Sequence, residues 1–245
     1  SNRRGTVLRN WNSDRFLYDR LTDPLYVSIP WWIGLRDGTA SGVFVDNPFP
    51  MTMDFGARES HVLSITAERG PIDVYVVAGP LPKDVLGRFT RLVGRPPVPP
   101  RWALGFHQSR YSYMTADRVR SVAAEFRERR IPCDVIHLDI HHSDRFRSFT
   151  FDPRHFPDPR GLADDLHGKG FKVVAIVDPG LAADETYPPF ASGVEGDHFV
   201  RAADGSLVLG RVWPGTCAFP DFSSARTRAW WGSLYAGLVD VGIDG

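Results

Sequence analysis

The sequence predicts an α/β protein with an all-β N-terminal part, and three observations carry that reading. Residues 41–45 (SGVFV), 61–66 (HVLSIT) and 72–77 (IDVYVV) are short, β-branched and bounded by Gly, Pro or Asp, as strands of an antiparallel sandwich are. Residues 95–100 (RPPVPP) permit neither a helix nor a paired strand, so they form a linker. Beyond the linker, short apolar runs alternate with helical periodicity. That order implies parallel strands joined by right-handed crossover helices.

The elements follow in chain order. Turn signals at Asp37-Gly38, Asp46-Asn47-Pro48 and Gly70-Pro71 separate the early strands. From Pro82 the period changes: Val85, Leu86, Phe89, Leu92 and Val93 share one helical face, with Pro82 in the first turn. After the linker, residues 103–107 are expected as a strand. Thr115 then caps a helix carrying Val119, Val122, Ala123 and Phe126. Residues 133–139 form the second strand. A short helix over residues 162–167 stops at Gly168 and Gly170, and residues 172–177 form the third strand, ending at Asp178. Ser223 or Ser224 caps a helix through Trp230, Leu234, Leu238 and Val241, and residues 241–245 open a fourth strand. The expected division is residues 1–94, a partial β-sandwich with a connecting helix, and residues 95–245, the β/α part.

The stretch over residues 133–159 (CDVIHLDIHHSDRFRSFTFDPRHFPDP) organises the second part. Its apolar run ends at Asp139, and side chains at the C-terminal ends of parallel strands face the ligand in β/α architectures. The loop that follows carries aromatics and two Asp-Pro steps, more fixed geometry than a connector needs.

The same residues resemble the LDIDYM…FT.D..RFPDP segment of glycoside hydrolase family 31, the α-glucosidase and α-xylosidase family. PPRWALGFHQSRYSY (99–113), VVAIVDPG (173–180) and VWPGTCAFPDF (212–222) match in the same order. TDPLYVSIPWWIGL (22–35) and SGVFVDNPFPMTMDFG (41–56) resemble the end of the family's N-terminal β-sandwich. Periodicity alone leaves an open sheet and a closed barrel both possible; the resemblance implies the first half of a (β/α)8 TIM barrel. The 145 residues from 101 to 245 compare with roughly 250 for a whole barrel. In the family, GIDG (242–245 here) leads into a W-x-D-M-N-E segment whose Asp is the nucleophile. The resemblance therefore implies a fragment that contains neither catalytic carboxylate.

Glycosidic cleavage needs two carboxyl groups flanking the bond. Position alone would nominate Asp139 and Asp178, both at strand ends; the resemblance argues against that pair. It implies instead that Asp139 accepts hydrogen bonds from the nonreducing-end sugar, as a carboxylate does well. By the same matching, Ile140 and Ile176 would be apolar contacts, and Tyr111 and Trp213 aromatic ones. Asp54 would line the rim of the pocket; its other reading is a turn residue before Gly56. The chain keeps the Asp139-Ile140 pair of LDIDYM but departs from the family at His141-His142-Ser143. That leaves linkage preference and the leaving-group sugar open. His137 and His141 have HxxxH spacing, but on a strand and loop rather than one helix face, so no metal is expected.

The implied function is part of a retaining α-glucosidase-type hydrolase that cleaves terminal α-linked glucose without a cofactor. The alternatives are an α-xylosidase, transglycosylase or α-glucan lyase of the family, or a non-catalytic carbohydrate-binding derivative. Composition agrees with a soluble globular chain: 42% hydrophobic and 24% charged residues, with 29 basic and 29 acidic residues that cancel. That balance gives no electrostatic reason to expect nucleic acid or an anionic membrane as a partner. Two cysteines make no disulfide framework. No apolar run approaches the ~20 residues of a membrane span, and no signal-peptide core opens the chain. Localisation and oligomeric state are left open.

Overall fold

The computed structural model describes residues 2–245, and the chain divides into one unit up to Pro97 and a second from Val98. The first is all-β apart from one helix. Its strands are β1 (Val7–Asn10), β2 (Trp31–Arg36), β3 (Thr39–Asp46), β4 (Met51–Phe55), β5 (Leu63–Ala67) and β6 (Asp73–Ala78). They pair antiparallel as two three-stranded sheets, ordered β1-β4-β5 and β2-β3-β6. Alternation along β3 and β4 buries Val45, Met51 and Met53, against which Trp32, Phe55, Ile65 and Ala67 pack. Helix α1 (Pro82–Val93) lies on the second sheet, with Phe89 stacked on Trp31 at 3.8 Å between ring centroids. Gly42 makes this possible: a Cβ there would stand 2.2 Å from the Trp31 ring and 2.7 Å from Val85. Of the five apolar residues expected on one face of α1, Val85 is fully buried and Leu86, Leu92 and Val93 are each half exposed.

In the second unit, β7 (His107–Gln108), β8 (Val135–Leu138) and β9 (Lys172–Ala175) form a parallel sheet in that order. Between them run α2 (Ala116–Glu128) and α3 (Pro159–Gly168), capped by Thr115 on the Arg118 N–H and by Asp158 on the Gly161 N–H. One strand face is covered by these helices: Ile136, Leu138, Val173 and Ala175 join Val119, Ala123, Leu162 and Leu166 in a single core. Residues 243–245 run beside β9, with Asp244 N donating to Val173 O at 2.8 Å and Ala175 N to Gly245 O at 3.0 Å. Among the described residues the sheet is not closed, as half of a barrel would leave it.

Three expectations change. The strand expected over residues 103–107 is a 3-10 turn (Arg101–Leu104) followed by β7 alone. The reason is local: Phe106 N donates to the Asp134 carboxylate at 3.1 Å, so sheet pairing begins one residue later. The long helix expected after Ser224 is two, α5 (Ala225–Leu234) and α6 (Ala236–Asp240), broken at Tyr235. Tyr235 turns its ring onto Phe149 and Trp231 instead of continuing the apolar stripe. The third strand ends at Ala175, although Ile176 N still donates to Leu138 O at 3.1 Å.

One lobe was not anticipated. Strands β10 (Leu181–Ala182), β11 (Leu209–Val212) and β12 (Gly215–Ala218) make a small antiparallel sheet, ordered β10-β12-β11. With helix α4 (Pro188–Glu195) it encloses its own core of Leu181, Tyr187, Phe190, Phe199 and Ala218. Among the described residues no helix is long and apolar enough to cross a membrane.

Candidate functional site at the strand ends

Because Ile136 and Leu138 face the helices, Val135, His137 and Asp139 lie on the opposite, inner face of β8. The same parity turns Val174 and Ile176 inward from β9. His107 of β7 joins them, its Nδ1 3.0 Å from His137 Nε2. Its Nε2 lies 3.2 Å from Ala103 O and so carries the proton, which makes His137 the donor in the pair. Burial, then the neighbouring His107, hold His137 below the usual histidine range.

Asp139 sits one layer above His137, at the last extended residue before a 3-10 turn (Ile140–His142). Its Oδ1 accepts from Ile140 N at 2.7 Å, which fixes the carboxylate. No donor among the described residues reaches its other oxygen, and the side chain is partly exposed. The turn is tied back by His142, whose backbone N and ring Nδ1 lie 3.0 and 2.9 Å from Asp139 O. Burial lowers the His142 pKa, with the Asp139 carbonyl opposing.

Asp178 is the second carboxylate here. Burial raises its pKa and the negative charge of Asp139 raises it further, so the two groups sense each other across the strand ends. Ser148 Oγ donates to Asp178 O at 2.9 Å, and the buried Tyr187 donates through its hydroxyl to Ser148 O at 2.5 Å. Arg147 reinforces the same loop, pairing with Asp144 and, at 3.5 Å, with Asp184. The lobe is thereby fastened to the rim of the sheet.

The other expected residues can now be located. Tyr111 follows β7, is 65% exposed, and meets His141 edge-on at 5.3 Å. Ile176 is 43% exposed on the inner face. Ile140 is 5% exposed, and its N–H holds the Asp139 carboxylate. Trp213, 61% exposed, lies in the turn between β11 and β12. Gly180, two residues beyond Asp178, brings that hairpin close: a Cβ on it would stand 2.7 Å from Val212 Cγ2. Tyr111, Asp139, Ile140 and Ile176 thus gather at the ends of the parallel strands, with Trp213 on the lobe beside Asp178.

Asp54 lies in the first unit, in β4 opposite Val7 and Ser64. It is 5% exposed, and its Oδ1 accepts from Ala57 N at 2.6 Å, bracing the turn through Gly56. Its Oδ2 is buried without a hydrogen bond among the described residues, with Arg58 Nε 3.7 Å away. Position alone nominated Asp178 together with Asp139, and the two carboxylates do lie near enough to influence each other. Both cysteines are buried and free.

Comparison with known proteins agrees with this fold. Residues 96–245 match the family model "Glycosyl hydrolases family 31 TIM-barrel domain". Residues 1–54 match "Glycosyl hydrolase 31 N-terminal galactose mutarotase-like domain". "Alpha-glucosidase 2" of Bacillus thermoamyloliquefaciens is 47% identical over 99% of this chain and 31% of its own length. An "Alpha-glucosidase" of Saccharolobus solfataricus is 38% identical over 96% of this chain and 34% of its own. The chain therefore spans about a third of the length of these relatives. Among solved structures, a family 31 α-glucosidase from Bacteroides thetaiotaomicron covers the whole chain and 42% of its own, with a TM-score of 0.90 at 38% identity. A Flavobacterium johnsoniae GH31 dextranase complexed with isomaltotriose gives 0.91 at 32% identity, over the whole chain and 30% of its own.

Proposed function

The chain belongs to glycoside hydrolase family 31, and on that premise we propose that the whole protein is a retaining α-glucosidase-type hydrolase releasing terminal α-linked glucose. The observation that carries the reading is the 47% identity, over nearly the whole chain, to a protein named α-glucosidase. These 245 residues supply part of the sugar pocket. Asp139 takes the central role: its free oxygen accepts hydroxyl hydrogen bonds, and a charged acceptor makes them stronger than a neutral one does. Tyr111 and Trp213 offer exposed aromatic surface to sugar rings, while Ile140 and Ile176 close the apolar side.

In this proposal neither Asp139 nor Asp178 attacks the anomeric carbon. The nucleophile and the proton donor come from elsewhere in the whole protein, and the two-step displacement retains configuration. The test is hydrolysis of p-nitrophenyl α-D-glucoside by the whole protein, with the first-formed glucose anomer read by proton NMR. The α-anomer is expected first, with the glucoside cleaved faster than the α-D-xyloside. First-formed β-glucose, or a preference for the xyloside, would overturn the assignment.

A further inference from the structure

We propose that His141 is a specificity-determining contact for the leaving-group sugar, donating a hydrogen bond from Nε2–H to one of its hydroxyls. The proposal rests on the reading that Asp139 holds the terminal glucosyl unit. The two adjacent histidines of the turn after Asp139 are used differently. His142 is 2% exposed, its Nδ1 lies 2.9 Å from Asp139 O, and its ring packs on Phe151. The turn's own geometry explains that histidine.

It does not explain His141. The His141 ring is gripped edge-on by Tyr111 at 5.3 Å and by Phe146 at 5.2 Å, with interplanar angles of 77° and 85°. A phenyl ring would satisfy that packing equally. Instead an imidazole is present whose Nδ1 is buried with no hydrogen-bond partner among the described residues. A buried, unpaired nitrogen costs stability, so the side chain is not there for the fold. An orphaned acceptor is better tolerated than an orphaned N–H, which places the proton of the neutral ring on Nε2. Nε2 is the nitrogen that solvent reaches, and it too has no partner among the described residues.

A fixed donor thus stands two residues beyond Asp139 and beside the exposed ring of Tyr111. A carboxylate for one sugar, with an aromatic face and an N–H donor next to it, fits two consecutive sugar units. The donor can reach a hydroxyl only for particular linkages, because the linkage sets which hydroxyl of the second sugar faces the turn.

The experiment uses the whole protein and two variants, His141→Phe and His141→Gln. For each, kcat/KM is measured on kojibiose, nigerose, maltose, isomaltose and p-nitrophenyl α-D-glucoside. With His141→Phe, the ratio of kcat/KM for the best disaccharide to that for the aryl glucoside is expected to fall about tenfold, and the linkage order to change. His141→Gln, which keeps an N–H donor, should recover part of the loss. His141→Phe should also melt no lower than the unaltered protein, since it removes the orphaned nitrogen and keeps the packing. Changes by one common factor on all five substrates, or a lower melting temperature, would overturn the proposal. If the unaltered protein cleaves none of the five, the α-glucosidase reading itself falls, and this contact with it.

Discussion

Asp244→Ala should free the outer edge of the third barrel strand. The Val173 amide points away from β8 and donates to Asp244 Oδ2 at 2.9 Å. The same carboxylate takes Lys172 Nζ and His167 Nε2, each at 2.7 Å. A backbone hydrogen bond to a charged acceptor is worth about 1.5–3 kcal/mol. The Lys172 side chain is 40% exposed, so solvent screens that pair to about 0.5 kcal/mol. Together the loss is about 2–4 kcal/mol of local stability. Hydrogen–deuterium exchange of peptides covering residues 170–177 should accelerate roughly 30- to 1,000-fold if these amides exchange by local opening. Asp244→Asn, which retains an acceptor for Val173, should fall between. Burial pushes the Asp244 pKa up, but the bonds from Lys172, Val173 and His167 outweigh it and hold the group below its ordinary 3.8. A carboxylate with a lowered folded pKa stabilises above its unfolded value and stops doing so as pH falls through the folded one. The difference between the two proteins should therefore persist at pH 5 and shrink below pH 3.8. Exchange in Asp244→Ala within about threefold of the unaltered protein would refute this account of the strand edge.

Other perturbations test separate parts of the structure. Asp178 has a raised folded pKa, so its charged form costs stability; Asp178→Asn should raise the melting temperature at pH 7, with the gain vanishing as pH falls below 3.8. Equal gains at both pH values would separate Asp178 from Asp139. Tyr187→Phe removes the hydroxyl that fastens the lobe to Ser148 and leaves a buried carbonyl unpaired, so urea unfolding of the lobe should lose about 1–3 kcal/mol. Gly42→Ala pushes a methyl into the Trp31 ring and Val85, at an expected cost of about 1–3 kcal/mol to the first unit. Its thermal melt, followed by tryptophan fluorescence, reads that loss.

Much of the second unit was legible because its signals are local. The apolar run that stops at Asp139 marked both the strand and its C-terminal end, and Thr115 marked the start of α2. What escaped depends on distant partners. β10 is two residues long and β11 carries Gly210 with little alternation, so each exists only through pairing with β12. Trp230, Leu234, Leu238 and Val241 kept helical spacing across Tyr235, which hid the break between α5 and α6. In the first unit, β1 pairs with β4 across more than forty residues, a register no local pattern encodes. At the site, position named Asp139, but the hydrogen bond from Ile140 N that fixes its carboxylate was beyond any spacing rule.

The central proposal, that Asp139 binds the terminal sugar of the proposed α-glucoside substrate, meets its most direct test in the whole protein carrying Asp139→Ala. Loss of one charge-assisted hydrogen bond, felt more strongly in the transition state, should lower kcat/KM on p-nitrophenyl α-D-glucoside at least about tenfold, or roughly 1.4 kcal/mol. Circular dichroism and melting temperature should stay close to those of the unaltered protein, because Asp139 is a partly exposed strand-end residue. Unaltered kinetics in a folded Asp139→Ala protein would contradict the claim and leave Asp139 as no more than the brace of its turn.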